Sequence, residues 1–258
     1  MSAVTFFWDE PDPAWVQTLR AAGTRVWVQV GSPDQAREAV ASGADAVIAQ
    51  GSEAGGHNLG VAGTMSLVPA VLDAVAPVPV FAAGGVADGR GLVAALALGA
   101  DAAVFGTRFL AAEEADANRE YQQRVVDSQV GDTARHWVFG FDFPDAPMRG
   151  VRNAIVREWE NRDDPPPYRE LDPDTQPIIG TANVFGQEIP MPRFTGLPPT
   201  RAASGDLEQM SLLAGESSGL IHDVPPAGEI LKRIADEAGT IVSGLTAGGL
   251  SHVGAPTD

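Results

Sequence analysis

The chain has 258 residues, 44% of them hydrophobic, with 34 Asp and Glu against 17 Lys and Arg and a formal net charge of −17. That length accommodates one large α/β domain with a sizeable core. The acidic balance excludes a basic surface for nucleic acid or anionic lipid.

The residue types that are missing narrow the chemistry further. Without a single cysteine, the chain has no disulfide, zinc–thiolate site, iron–sulfur cluster or cysteine nucleophile. Lys232 is the only lysine and sits in the amphipathic segment Ile230-Leu-Lys-Arg-Ile234, so a desolvated Schiff-base lysine is not expected. The opening residues have neither the basic start nor the apolar core of a secretory leader. No run reaches the roughly 18 apolar residues of a membrane span. These features predict a soluble cytoplasmic protein.

In chain order, Val4-Thr-Phe-Phe-Trp8 reads as a strand. Asp12-Pro13 caps a helix through Trp15, Val16 and Leu19 that Gly23 closes. Arg25–Val30 is the next strand, and Ser32-Pro33 opens a helix over 34–42. Ala46-Val-Ile-Ala49 is a buried strand that runs into the loop Gln50-Gly-Ser-Glu-Ala-Gly-Gly-His57. A helix over 65–76 follows, then strand 78–83 ending in Gly84-Gly85, helix 89–98, and strand 102–105 ending in Gly106-Thr107. Strand and helix in alternation predict a parallel sheet with crossover helices. An internal echo supports this: Gly43-Ala-Asp45 and Gly99-Ala-Asp101 each precede a buried strand with glycine at its end. Beyond residue 112 the pattern weakens into a charged helix over 113–130, a helix near 153–161, Pro-rich loops over 141–200 and a closing helix over 227–238. The pattern accounts for five strands.

The candidate chemistry lies at the strand ends. Gly84, Gly85, Gly106 and Thr107 occupy successive ends, where backbone N–H groups can hold a phosphate. Gly55 and Gly56 let backbone approach a flat or phosphorylated ligand closely; the plainer reading is a glycine turn. Gln29 and Gln50 close two buried strands, as ligand contacts or as solvated rim residues. Glu53 is a catalytic acid or a turn stabiliser. His57 stands at a strand end as a proton-exchanging group. His136, His222 and His252 fall in the irregular tail and read as structural or solvated.

Three stretches in this order, 50–57, Ala82-Ala-Gly-Gly-Val-Ala-Asp-Gly-Arg-Gly91 and Leu98-Gly-Ala-Asp-Ala-Ala-Val-Phe-Gly-Thr-Arg-Phe-Leu110, resemble the nitronate monooxygenase family, formerly 2-nitropropane dioxygenase, whose relatives include FMN-dependent enoyl-ACP reductases. Arg149-Gly-Val-Arg-Asn153, Ala214-Gly-Glu-Ser-Ser-Gly-Leu-Ile221 and Ala227-Gly-Glu-Ile230 resemble the tail of the same family. The resemblance implies a TIM-type β/α barrel with FMN at its C-terminal mouth and His57 as the base. It places Gly84, Gly85, Gly106 and Thr107 at the FMN phosphate, with Gln29, Gln50, Gly51 and Gly55 beside the rest of the cofactor and no metal. The substrates implied are an alkyl nitronate or nitroalkane and O2; the alternatives are enoyl reduction with NAD(P)H and an inactive paralogue.

One departure stands out. The first strand resembles the family's fourth, so the expectation is a barrel truncated at its N-terminus to about strands 4–8, with residues 1–112 as the partial barrel and 113–258 as a helical, Pro-rich extension packed on it in the same domain. A closed barrel needs about eight strands, and open edges invite pairing. The expected consequences are weak FMN binding and self-association into homo-oligomers or aggregates.

Overall fold

The turns Gly43-Ala-Asp45 and Gly99-Ala-Asp101 have the same role in the fold. Both glycines take φ +98°, a left-handed value that ends the preceding helix. Each aspartate then bridges to the start of the neighbouring strand. Asp45 Oδ2 accepts from the Val26 N–H at 2.8 Å, and Asp101 Oδ2 accepts from the Val80 N–H at 2.9 Å. The repeat seen in the sequence is therefore a repeated device for launching a strand beside its neighbour.

The structure is a computed structural model that describes residues 2–8, 11–162, 166, 168 and 170–248. Its first part alternates β1 (Ala3–Phe6), α1 (Pro13–Ala21), β2 (Arg25–Val30), α2 (Pro33–Ala41), β3 (Ala46–Gln50), a two-residue β4 (Gly56–His57), α3 (Thr64–Val75), β5 (Val80–Ala83), α4 (Gly89–Ala97) and β6 (Ala102–Val104). The main sheet has the order β1-β2-β3-β5-β6 with every neighbouring pair parallel. Asp12, Ser32 and Asp88 cap α1, α2 and α4 through their side chains, with Pro13 and Pro33 at the first helical positions. Val26, Val28, Val47, Ala49, Val80 and Ala82 turn one sheet face toward Ala36, Leu67 and Val71 of the helices. Fully burying one such valine contributes about 1.5–3 kcal/mol relative to leaving it in water.

The second part corrects several expectations. It comprises α5 (Thr107–Leu110), α6 (Arg119–Asp127), β7 (Thr133–His136), β8 (Met148–Val151), α7 (Ala154–Trp159), β9 (Ile178–Val184), β10 (Gln187–Pro192), β11 (Ser204–Gly205) and α8 (Ala227–Gly248). The five expected strands are those of the parallel sheet. Two antiparallel sheets, β4-β8-β7 and β10-β9-β11, lie outside the five-strand pattern of the sequence. Thr-Ala-Arg-His and Met-Arg-Gly-Val are short and do not alternate, so periodicity could not reveal β7 and β8. The β9–β10 hairpin did carry a signal. Its two-residue loop, Phe185-Gly186, has φ of 52° and 84°, and a glycine closing a two-residue loop is the mark of a type I′ turn.

The long helix expected over 113–130 is confined to α6, because Asn118 accepts from the N–H groups of Glu120 and Tyr121 and fixes its start. Trp8, expected in the first strand, lies just past β1. The closing helix runs ten residues beyond its expected end at Ala238. It docks on α4 where Gly89 donates its N–H to Glu237 Oε2 at 2.8 Å. His252 lies outside the described residues. A second apolar cluster joins Ala87 and Ala111 to Tyr121, Met191, Met210, Leu212 and Ile221, so the later elements pack on the strand ends of the earlier ones. Among the described residues no helix is long and apolar enough to cross a membrane.

Candidate active site

The C-terminal ends of β2, β3, β5 and β6 open on one cleft of about 360 Å3, within the usual range of small-ligand pockets. Gln29, Gln50, Gly84, Gly85, Gly106 and Thr107 line its sheet side, and Gly55 and Gly56 enter from the loop after β3. Tyr121, Pro198, Pro199, Leu213 and Ser217 form the opposite wall. The structure thus brings seven of the nine expected site residues together. Gly51 and His57 lie beside this lining.

The loop after β3 is held by Asn58, which is fully buried. Its Nδ2 donates to the carbonyls of Ser52 at 3.0 Å, Ala54 at 3.1 Å and Gly51 at 3.4 Å. Glu53 settles as a turn stabiliser. Its carboxylate accepts from the Thr64 N–H at 2.9 Å and from Thr64 Oγ1 at 3.1 Å, capping the start of α3. Thr64 Oγ1 also lies 3.0 Å from the Gly84 carbonyl and ties β5's end to the same knot. Gly51 sits behind the cleft, where a Cβ would fall 2.1 Å from Thr64 Oγ1.

Gly55 also has a reason other than the expected one. A Cβ there would meet the Gly215 nitrogen at 2.5 Å, so its bareness makes room for the tail backbone. Gly56 and Gly106 are the open positions, with nothing within 4 Å of an added Cβ. Arg149 of β8 completes the clamp. It donates from Nε to the Ser52 carbonyl at 2.9 Å and pairs with Glu216 at 3.1 Å.

The polar groups facing the cleft are few. Gln50 donates from Nε2 to the His57 carbonyl at 3.0 Å, which fixes its amide orientation and leaves Oε1 buried with no partner among the described residues. Thr107 Oγ1 accepts from the Gly215 N–H at 2.9 Å and keeps its own proton free to donate elsewhere. Tyr121 is completely buried and donates its O–H to the Leu213 carbonyl; burial pushes its phenol well above the usual value. His57 is half-buried, with Trp8 and Phe143 packed edge-on against its ring at centroid distances of 5.5 Å and 4.8 Å. Burial holds this imidazole below its ordinary value of 6.5, opposed by the charge of Asp142. Trp8 takes φ 83°, a backbone conformation costing a bulky residue on the order of 1–3 kcal/mol.

The sequence marks neither Asn58 nor Tyr121 as a site residue, and Arg149 and Glu216 stand in it only within the tail stretches that resemble the family, with no site role attached. An asparagine after a histidine carries no mark of burial, and the Arg149–Glu216 pair joins residues far apart in the chain.

The site resembles an FMN pocket in two observable respects. Gly106 at the end of β6 leaves open the space a Cβ would occupy, and the buried Gln50 Oε1 lacks a donor among the described residues. A cleft at the C-terminal ends of parallel strands defines the protein's class: an α/β protein whose ligand site is built from strand-end loops.

The sequence pattern of the nitronate monooxygenase family matches residues 1–237. A nitronate monooxygenase of Metarhizium robertsii is 33% identical, over 90% of this chain and 64% of its own length. One of Neurospora crassa is 35% identical, over 86% of this chain and 56% of its own. Among solved structures, FabK from Thermotoga maritima superposes with TM-score 0.74 at 33% identity, over 95% of this chain and 70% of that one. Nitroalkane oxidase from Streptomyces ansochromogenes gives 0.75 at 30% identity, over 95% and 66%. Both are of TIM-barrel type. The chain belongs to the nitronate monooxygenase family, and it spans 56–64% of the length of these two curated relatives.

Proposed function

We propose that this chain forms the FMN-binding part of an oxidoreductase that oxidises alkyl nitronates with O2. The observation that carries the reading is the cleft lined by Gly85, Gly106, Thr107 and Gln50, whose Oε1 is buried without a hydrogen-bond partner among the described residues. In this reading residues 1–112 give the cleft its strand-end floor and residues 113–258 its other wall, within one domain. Gly84, Gly85, Gly106 and Thr107 would hold the phosphate of FMN and Gln50 Oε1 would be free to accept a hydrogen bond from its ring system, with Gln29, Gly51 and Gly55 shaping the space beside it. FMN, when bound, supplies the acceptor for substrate electrons and the route to O2. The protein's own residues bind, orient and exclude water. His57 Nε2 takes the proton from the carbon beside a neutral nitro group, for which its lowered basicity keeps it neutral.

The test is to add FMN to the purified chain and follow flavin binding, then turnover of a preformed nitronate under O2. Saturable binding with nitronate-dependent O2 uptake supports the reading. Flavin reduction by NADH or NADPH without nitronate would instead favour an enoyl-reductase type of reaction, and no binding with no turnover would sink both.

A further inference from the structure

His57 Nε2 is buried and has no hydrogen-bond partner among the described residues, although this is the atom that must meet a substrate if the proposed function holds. Two aromatic residues lie against its ring: Trp8 with an interplanar angle of 71°, and Phe143 with one of 70°. Neither belongs to the apolar clusters of the core. Trp8 is held in left-handed backbone, which a bulky residue adopts only when its surroundings impose it. Phe143 keeps 44% of its surface in solvent although it is a large apolar ring. A purely structural histidine looks different here. His136 shares the unpartnered Nε2 and has one ring, Phe139, edge-on to its own, but it is more than nine-tenths buried and its Nδ1 accepts from the Val138 N–H. His57 instead has an exposed ring on an irregular loop as one side of its cover.

The base of that loop is anchored. Asp142 Oδ2 accepts from Thr195 Oγ1 at 2.9 Å and from the Gly196 N–H at 2.7 Å. With its neighbour tied down, Phe143 can uncover His57 by turning its own side chain, without moving the sheet. The space so opened is bordered by two aromatic rings and a carboxylate. Such a space accepts an apolar substituent and disfavours an anionic one.

We infer that Trp8 and Phe143 form an aromatic jaw over His57 that sets substrate specificity, admitting nitro compounds with an apolar substituent and discriminating against those carrying a carboxylate. The substrate part rests on the proposed nitronate-type function; the cover over His57 does not.

The experiment has one arm for each. In the first, the whole purified chain reacts with diethyl pyrocarbonate, and acylation of each histidine is followed by peptide mass spectrometry, with exposed His222 as internal reference. Phe143→Ala should raise the rate at His57 relative to His222 by about tenfold, the factor that ~1.4 kcal/mol of lost cover represents. Phe143→Leu, which keeps an apolar side chain, should stay near wild type. An unchanged His57 rate in Phe143→Ala overturns the jaw.

The second arm measures kcat/KM with FMN present for nitroethane, 1-nitrohexane and a carboxylate-bearing nitroalkane. Wild type should favour nitrohexane, and Phe143→Ala should lose about tenfold of that preference, the scale of a few apolar contacts in a pocket. Preference for the carboxylate-bearing compound, or an equal change across the series, overturns the assignment of substrate class. Faster acylation in Phe143→Ala with no turnover of any nitro compound would support the cover and overturn the proposed function.

Discussion

Gly55 and Gly215 meet backbone to backbone. A Cβ on Gly55 would stand 2.5 Å from the Gly215 nitrogen, and a Cβ on Gly215 would stand 2.6 Å from the Glu53 carbonyl oxygen. Two loops from distant parts of the chain therefore close on each other with no side chain between them. Gly215 also donates its N–H to Thr107 Oγ1, so the contact reaches the end of β6. Gly55→Ala must push the tail loop away from the cleft. Overpacking of this kind typically costs about 1–3 kcal/mol. We expect a lowered Tm and weaker flavin binding, while Gly106→Ala, with open space and φ −95°, leaves Tm near wild type. Equal Tm values for the two variants would show that the loops do not need this contact.

That contact also marks how far the sequence could be read. The parallel sheet was legible because its signals are local. The helix ends carry Asp-Pro and Ser-Pro caps, the Gly-Ala-Asp turns repeat, and Ala46–Gln50 is apolar enough to require burial. The floor of the cleft was legible for the same reason, since Gly84, Gly85, Gly106 and Thr107 follow strands directly. The second wall was not. Tyr121, Leu213 and Ser217 come together only through tertiary packing, and Arg149 reaches Ser52 across nearly a hundred residues. Gly55 shows the limit most clearly: its lack of a side chain marks a place of close approach and it does line the cleft, but nothing local says that it also makes room for Gly215.

The phosphate end of the site can be tested at Gly106. Gly84 is unsuitable, because its φ of +99° and a Cβ distance of 3.0 Å to the Gly51 carbonyl would disturb the fold for any side chain. Gly106→Asp places a carboxylate in open space. Two like charges about 4 Å apart repel by roughly 4 kcal/mol at an effective dielectric of 20. We expect the variant to keep its Tm without flavin and to lose FMN binding in a fluorescence titration. An unchanged affinity would move the phosphate away from this strand end.

For His57, the lowered pKa makes a directional statement. The neutral imidazole persists below pH 6.5, so the acid limb of kcat/KM for a neutral nitroalkane should have its midpoint below 6.5. Asp142 raises the pKa, so Asp142→Asn, which keeps an acceptor for Thr195 and Gly196, should move that midpoint lower still. His57→Ala should reduce turnover of the nitroalkane by about 10²–10⁴-fold and that of a preformed nitronate by less. Equal losses for both substrates would make His57 a group that positions the nitro function instead of a base.

His136 supplies a stability test away from the cleft. Its Nδ1 accepts from the Val138 N–H at 3.2 Å, so the ring proton sits on Nε2, which is buried without a partner among the described residues. Burial, reinforced by Arg149 and Arg152, pushes its pKa down to about 3. The unfolded chain binds this proton near pH 6.5 and the folded chain near 3, so stability is complete above 6.5 and is lost as pH falls between those values. At 1.36 kcal/mol per unit the full loss is roughly 5 kcal/mol. His57 shifts in the same direction and contributes to the same window, so the contribution of His136 has to be read by difference. Urea unfolding of wild type and His136→Gln between pH 7 and 5 isolates it, because the amide can still accept from Val138 and cannot titrate. Asp88, Glu208 and Asp223, all held below their ordinary values of 3.8–4.5, do not act above pH 5. We expect wild type to lose on the order of 1 kcal/mol more than the variant for each pH unit below 6.5. Parallel slopes in this window would mean that His136 is charged in the folded protein or solvated well enough to titrate normally.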